Sequence, residues 1–210
     1  MSKSEIISKT SEYFSEKITA HGTTPLGVDW NSVSSQHIRF DQVLKIIENK
    51  SGFSVNDVGC GYGQFYEYLR KKKFVDFIFF GIDISKEMID AANLLHKDKI
   101  DVNFLEVNSL KEMPLSDFSL ASGVFNMKLE VANDKWKEYI IESLHDINDS
   151  SSKGFSFNML TSYSDSDKMR DDLYYGDPCF FFDYCKKNFS KNVTLLHDYN
   201  LYDFTILVKK

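Results

Sequence analysis

Short apolar runs alternate with stretches of helical periodicity along most of the chain. Helices are predicted from Gln64, from Ser85 and over residues 136–147, between apolar runs typical of buried strands. These strands are predicted at residues 53–58, 77–82, 102–107, 118–125 and 154–159. The alternation predicts a parallel sheet with helices packed on both of its faces.

The end of the chain follows a different pattern. A further helix is predicted to open at Asp177-Pro178, an N-cap followed by a proline at the first helical position. The strands predicted at 193–199 and 203–208 are separated by only a few residues around Asn200. Such a short connection requires an antiparallel hairpin. The sequence therefore predicts an α/β, Rossmann-like, seven-stranded, mostly parallel sheet with a C-terminal antiparallel hairpin.

Two further helices are predicted before the sheet, one carrying Ile6 and Ile18 and one carrying Phe40 and Ile47. Between them, residues 22–30 contain glycines and a proline and are expected to form a loop. This loop could act as a lid that excludes water from a bound ligand; a surface connection in which Trp30 fills a gap in the core is the alternative. Residues 1–50 are interpreted as an N-terminal extension of the same domain as residues 51–210.

Composition narrows the range of partners. The 210 residues carry a formal net charge of -6, which offers no attraction for a nucleic-acid backbone. No apolar stretch reaches the length of a membrane span, and the first residues lack a signal core, so we expect a cytoplasmic protein without a membrane partner. The three cysteines are too few for a disulfide scaffold and do not match a zinc site, so no metal is predicted.

One glycine-rich segment has the pattern of a ligand-binding loop. Residues 57–63 read Asp-Val-Gly-Cys-Gly-Tyr-Gly and run from the first strand into a helix. Glycines let the backbone turn tightly and let a ligand approach closely. A dinucleotide-binding fingerprint would need its third glycine at position 64, which is Gln64. That departure disfavours an NAD-dependent oxidoreductase, which is kept as an alternative.

The spacing of these glycines behind Asp57 resembles the first motif of class I S-adenosylmethionine-dependent methyltransferases. The resemblance covers about residues 50–210 and implies S-adenosylmethionine as methyl donor and S-adenosylhomocysteine as product. An acid suits the ammonium and sulfonium of this donor, whereas it would repel a pyrophosphate. Asp83 ends the second strand, where it can accept both ribose hydroxyls, and Ile84 can pack on the adenine. The expected donor-binding residues are Arg39, Asp57, Gly59, Gly61, Asp83, Ile84, Met88, Asn108, Ser109 and Phe125.

A narrower resemblance rests on residues 122–126, 154–158, 173–178 and 196–199. These segments look like those of small bacterial methyltransferases of capsule and surface-glycan gene clusters. The resemblance implies a small-molecule acceptor, either a sugar nucleotide or a phosphorylated or phosphoramidate capsule precursor. O-methylation is the leading interpretation, and N-methylation of a small molecule is the nearest alternative.

Acceptor residues are expected beyond the carboxyl ends of the strands, where ligands of open parallel sheets lie. The candidates are Trp30, Asn126, Lys128, Asn158, Tyr163, Arg170, Tyr174, Tyr175 and Tyr199. Methylation of an alcohol requires removal of its proton, a role that suits a histidine. His197, at the end of the sixth strand, is the first candidate for this general base. His21 is the second and Asp29 the third, with a structural role as the alternative for each histidine.

Overall fold

The computed structural model describes residues 1–30 and 32–210 and contains a seven-stranded sheet. Its strands are β1 (Phe53–Val58), β2 (Phe77–Asp83), β3 (Val102–Glu106), β4 (Ser116–Ala121), β5 (Ser151–Leu160), β6 (Asn192–Leu196) and β7 (Asp203–Lys209). They lie in the order β3-β2-β1-β4-β5-β7-β6, and β7 is antiparallel to both of its neighbours. The predicted parallel sheet with a terminal antiparallel hairpin is confirmed.

Four of the six helices described here begin at polar caps that the sequence provides. The six are α1 (Lys3–His21), α2 (Val33–Val43), α3 (Gln64–Lys71), α4 (Lys86–Leu95), α5 (Asn133–Asp149) and α6 (Pro178–Asn188). Side chains of Ser2, Ser32, Ser85 and Asp177 accept hydrogen bonds from backbone N–H groups in the first turns of α1, α2, α4 and α6. These bonds satisfy donors that would otherwise have no partner at a helix start.

Apolar side chains fill both faces of the sheet. On one face, α5 and α6 contribute Trp136, Ile140 and Phe181 to a cluster with the buried side of β5 and β7. On the other face, α2, α3 and α4 pack around Val55 and Phe79 of the central strands. The two-sided burial explains why the strands read as nearly continuous apolar runs.

Two strands end three or more residues earlier than the sequence indicated, and the strand predicted at 102–107 ends one residue earlier, at Glu106. The strand predicted at 118–125 ends at Ala121, because Gly123 adopts a φ of 80° and turns the chain out of the sheet. The strand predicted at 193–199 ends at Leu196, so His197 and Tyr199 lie outside it. Both differences matter because they fall at the carboxyl ends of strands, where the candidate residues were placed.

The N-terminal extension packs over this rim of the sheet. The Ser11 hydroxyl donates to the carbonyl of Ile84 (2.9 Å), and the Ser15 hydroxyl lies 2.8 Å from that of Ser85. The loop at 22–30 contains a 3-10 turn, Pro25–Val28, which also contacts α1. Within the described residues, no helix has the length and apolar character to cross a bilayer.

Candidate functional site

Two adjoining cavities lie at the carboxyl ends of the strands. The first, named here the inner cavity, has a volume of about 110 Å³ and borders β1, β2 and α4. The second, the outer cavity, has a volume of about 810 Å³ and borders β5, α2 and the loop before β7. Phe14, Val28, Trp30 and Gly123 line both of them. These four residues therefore form the neck through which two ligands could meet.

The loop between β1 and α3 forms the floor of the inner cavity. Gly59, Gly61 and Gly63 all have positive φ angles, of 70°, 54° and 82°. A Cβ on Gly61 would lie 2.7 Å from Cγ1 of Val28, so a side chain there would displace the N-terminal loop. Glycine is required at this position both by the backbone conformation and by the close approach.

Asp83 joins the end of β2 to this loop. Its two carboxylate oxygens accept hydrogen bonds from the N–H groups of Gly61 (2.9 Å) and Ser85 (2.9 Å). Burial raises the pKa of Asp83, while the backbone bonds lower it. A carboxylate has about four lone-pair sites, so Asp83 can still accept hydrogen bonds from a ligand in the inner cavity.

Asp57 lies at the end of β1 with an unsatisfied oxygen. Its Oδ2 is buried and has no hydrogen-bond partner among the described residues. Burial, followed by the charge of Asp83, raises the pKa of Asp57 well above its usual value. A buried carboxylate without a partner is costly, and a cationic ligand group would offset that cost. The ammonium of S-adenosylmethionine fits this requirement.

The remainder of the inner cavity is mostly apolar. Ile84, Met88, Val107 and Leu110 line it from the rim of β2 and β3. Tyr139 of α5 lines it too, and burial raises the pKa of this phenol. Tyr139, Trp136 and Phe14 also line this cavity but were not predicted as site residues. Helical periodicity shows that a helix face is buried, but it does not show whether that face contacts the core or a cavity. An apolar slot beside Asp83 suits an adenosine group.

Five of the expected donor residues line the inner cavity: Gly59, Gly61, Asp83, Ile84 and Met88. The others do not. Asn108 is exposed and Ser109 caps a 3-10 turn. Phe125 is fully buried in the apolar core, where its carbonyl accepts a hydrogen bond from the Trp136 indole (2.8 Å). These three residues therefore lie outside the lining of the inner cavity, and their contact with the donor stays a prediction.

Arg39, also expected to bind the donor, lines the outer cavity and not the inner one. Its guanidinium donates two hydrogen bonds to Asp203, a fully buried carboxylate, with Nε at 3.0 Å from Oδ1. The guanidinium carbon also lies 4.5 Å from the centre of the Trp30 ring. Arg39 thus fixes the position of Trp30 at the neck.

Asp29 is the one candidate base that lines a cavity. Its carboxylate accepts hydrogen bonds from Lys17 Nζ (2.8 Å) and from the hydroxyl of Tyr13 (3.1 Å). It follows Val28 and precedes Trp30, both of which line the neck. Asp29 therefore lies on the outer cavity beside the point where the two cavities meet.

Neither candidate histidine is at the site. His197 is exposed and follows β6 at the edge of the sheet, with its ring centre 5.9 Å from that of Tyr163. His21 is exposed at the last position of α1. Among the described residues, no histidine lines the inner or the outer cavity. His197 and His21 therefore lie outside both cavities, and their role as general base stays a prediction.

The acceptor candidates divide into two groups. The first group lines the outer cavity and consists of Trp30, Asn126, Arg170 and Tyr175. The second group lies outside its lining and consists of Lys128, Asn158, Tyr163, Tyr174 and Tyr199. Asn158 is nevertheless close by, because its buried Oδ1 accepts a hydrogen bond from the N–H of Gly123 (2.7 Å) and so supports the neck. The sequence analysis missed Lys168, Ser164 and Tyr202, which lie on loops whose paths local patterns do not show.

Comparisons with known proteins agree with this geometry. A family model described as a methyltransferase domain matches residues 55–148. The Mycobacterium tuberculosis protein Rv1506c, named as a methyltransferase, is 47% identical over 168 residues, which are 80% of this chain and 99% of that protein.

Solved structures show the same fold. Magnesium protoporphyrin IX methyltransferase from Synechocystis with bound S-adenosylmethionine superposes with a TM-score of 0.68 at 13% identity, covering 100% of this chain and 98% of that chain. The N-methyltransferase NodS from Bradyrhizobium japonicum, in complex with S-adenosylhomocysteine, gives a TM-score of 0.65 at 13% identity, covering 96% of this chain and 98% of that chain.

Proposed function

The chain belongs to the class I S-adenosylmethionine-dependent methyltransferases, and we propose that it methylates an oxygen of a small polar acceptor held in the outer cavity. Sugar nucleotides and phosphorylated or phosphoramidate capsule precursors are the proposed acceptor classes. Membership of this family replaces the alternative of an NAD-dependent oxidoreductase. The observation that carries the proposal is the neck, at which a large cavity with several polar and cationic side chains joins the inner cavity.

The lining of the outer cavity supports an acceptor that combines hydroxyl and anionic groups. Arg39, Lys168 and Arg170 supply cationic donors, and Asn126 and Tyr175 supply neutral polar groups. Arg170 and Lys168 are exposed and pair with neighbouring aspartates, Asp172 and Asp167. Exposed pairs contribute little, about 0–1 kcal/mol, so a phosphate could replace either aspartate at small cost.

Different residues of the chain bind the donor and align the acceptor for methyl transfer. When bound, S-adenosylmethionine supplies a methyl group on a cationic sulfur. Asp83 would hold the donor by its ribose hydroxyls, and Asp57 would hold it by its ammonium. Trp30 and Gly123 form the neck, where the acceptor oxygen and the methyl carbon must be aligned. Alignment of this kind is the main contribution that a protein makes to such a displacement.

We assign proton removal to Asp29. A hydroxyl placed at the neck can donate to its carboxylate, which accepts the proton as the new oxygen–carbon bond forms. Lys17 and Tyr13 hold the carboxylate in place from the α1 side. Asp29 itself adopts a left-handed backbone conformation, with a φ of 57°, which directs the chain from the 3-10 turn toward Trp30.

The proposal is tested by incubating the protein with methyl-labelled S-adenosylmethionine and separate panels of sugar nucleotides, sugar phosphates, phosphoramidates and primary amines. Mass spectrometry then identifies the labelled product and the atom that carries the methyl group. We expect labelling of a hydroxyl in one of the first three panels. Labelling of amines alone would establish N-methylation and contradict the proposal.

Variants of Asp29 and of the exposed His197 test the assignment of Asp29 as the general base. We expect Asp29→Asn to lower kcat by roughly 100-fold or more, the usual effect of losing a general base, with unchanged affinity for S-adenosylhomocysteine. His197→Asn is the control and should retain wild-type turnover, because the imidazole lies outside both cavities. Wild-type turnover in Asp29→Asn would remove Asp29 from the mechanism.

A further inference from the structure

A small side pocket extends the inner cavity toward α2 and α3. It has a volume of about 30 Å³ and shares Val28, Trp30, Gly59 and Ser122 with the inner cavity. Its own lining includes Gln36 of α2, Asp57 of β1 and Gln64 of α3. A volume of roughly 10–15 Å³ suffices for one water molecule, so the pocket has room for a small polar group.

The polar groups of this side pocket are buried and distinctive. Gln36 is only 3% exposed and Asp57 only 4%, and Oδ2 of Asp57 has no hydrogen-bond partner among the described residues. Asp57 is also the sole charged side chain in the described lining, which contains no lysine, arginine or histidine. An anionic group entering this pocket must therefore be bound by neutral donors.

Two side chains of α2, Gln36 and Arg39, line different cavities. Arg39, one of the donor-binding residues expected from the sequence, lines the outer cavity and is held by Asp203. Gln36, about one turn earlier, faces the side pocket. The helix therefore presents an amide, and not a guanidinium, toward Asp57.

We propose that Gln36 binds the α-carboxylate of S-adenosylmethionine through its amide hydrogens, while Asp57 binds the adjacent ammonium. The amino-acid end of the donor is a zwitterion, so its recognition requires a hydrogen-bond acceptor and a hydrogen-bond donor in one pocket, and Asp57 and Gln36 both line this pocket. Gln64, at the first position of α3, places the N-terminal end of a helix dipole at the same pocket, which also favours a carboxylate. The proposal concerns the methyl donor alone and does not depend on the identity of the acceptor.

Three ligands separate the contributions to binding. S-Adenosylhomocysteine carries the whole amino-acid end, its decarboxylated analogue keeps only the ammonium, and 5′-methylthioadenosine lacks both groups. In isothermal titration of Gln36→Leu, we expect affinity for S-adenosylhomocysteine to fall by about 10- to 100-fold, the scale for a hydrogen bond to a charged group. Affinities for the decarboxylated analogue and for 5′-methylthioadenosine should remain within about threefold of wild type.

Gln42→Leu is the matched control. Gln42 lies on the same helix, is 8% exposed, and bonds Lys45 outside the side pocket. It should leave all three affinities unchanged. Equal weakening of S-adenosylhomocysteine and 5′-methylthioadenosine by Gln36→Leu, or no weakening of either, would overturn the proposal.

Gln36→Glu gives a test that does not depend on the stability of the leucine variant. A carboxylate at this position repels the donor carboxylate but attracts the ammonium, so S-adenosylhomocysteine should bind more weakly while the decarboxylated analogue binds at least as well as to wild type. Equal effects on the two ligands would show that Gln36 does not contact the carboxylate.

Discussion

The Asp83→Ala substitution removes the carboxylate that joins the end of β2 to the glycine loop at the inner cavity. In the structure, the carboxylate accepts hydrogen bonds from the N–H groups of Gly61 and Ser85, both at 2.9 Å, and lines the inner cavity. The variant loses both the anchor of the glycine loop and the charged acceptor for the ribose hydroxyls. Both losses act on the donor site.

The size of the expected loss of affinity follows from the charge of the hydrogen-bond acceptor, the Asp83 carboxylate. A hydrogen bond to a charged group contributes about 1.5–3 kcal/mol, so losing one such interaction with the ligand corresponds to a decrease in affinity of roughly 10- to 150-fold. Loosening of the glycine loop adds to this loss. Removing a buried carboxylate whose pKa is raised by burial also relieves a cost, so the unliganded variant should remain folded.

The assay is isothermal titration of S-adenosylhomocysteine into wild type, Asp83→Ala and Asp90→Ala. The control, Asp90, lies on α4 in an exposed pair with Lys86 and carries the same charge as Asp83. We expect a large loss of affinity in Asp83→Ala and none in Asp90→Ala, with thermal unfolding used to verify the fold. Unchanged affinity in a folded Asp83→Ala variant would refute the assignment of Asp83 to the donor site.

Three further substitutions test the site and its surroundings. Gly61→Val should abolish binding of S-adenosylhomocysteine in a calorimetric titration while circular dichroism remains near wild type, because its Cβ would lie 2.7 Å from Val28; normal binding would show that the loop is only a turn. Arg39→Ala leaves the buried carboxylate of Asp203 unpaired and should lower the free energy of unfolding by about 3–5 kcal/mol in urea titrations, a loss that a near-neutral value would contradict. Burial lowers the pKa of His96 below 6.5, so wild type should lose stability as the pH falls below 6.5, and His96→Gln should flatten this dependence; parallel pH profiles of the two proteins would refute it.

The sequence predicted those features that local chemistry determines. The first strand was predicted with its observed bounds, because Gly59 follows it with a positive φ that no strand can continue through. The caps Ser85 and Asp177 likewise fixed where α4 and α6 begin. The glycine loop and Asp83 follow β1 and β2 directly, so their placement beside one another required only the parallel pairing of these strands.

Features that depend on strand order or on contacts between residues far apart in the chain could not be predicted from local sequence patterns. His197 follows a strand that runs in the same direction as β1, but β6 lies four places away in the sheet, roughly 19 Å at the usual strand spacing. Arg39 faces Asp203, a partner far along the chain, rather than the donor. Residues 122–125 continue the apolar pattern of β4 although Gly123 turns them out of the sheet, and packing of Trp30 against that glycine is visible only in three dimensions.

A crystal structure of the complex with S-adenosylhomocysteine tests the central claim, that a donor cavity and an acceptor cavity meet at the neck of Phe14, Val28, Trp30 and Gly123. We predict the ribose at Asp83, the amino-acid end in the side pocket, and the sulfur facing the outer cavity through the neck. A sulfur atom directed away from the outer cavity would contradict the account, because no acceptor held there could then receive the methyl group.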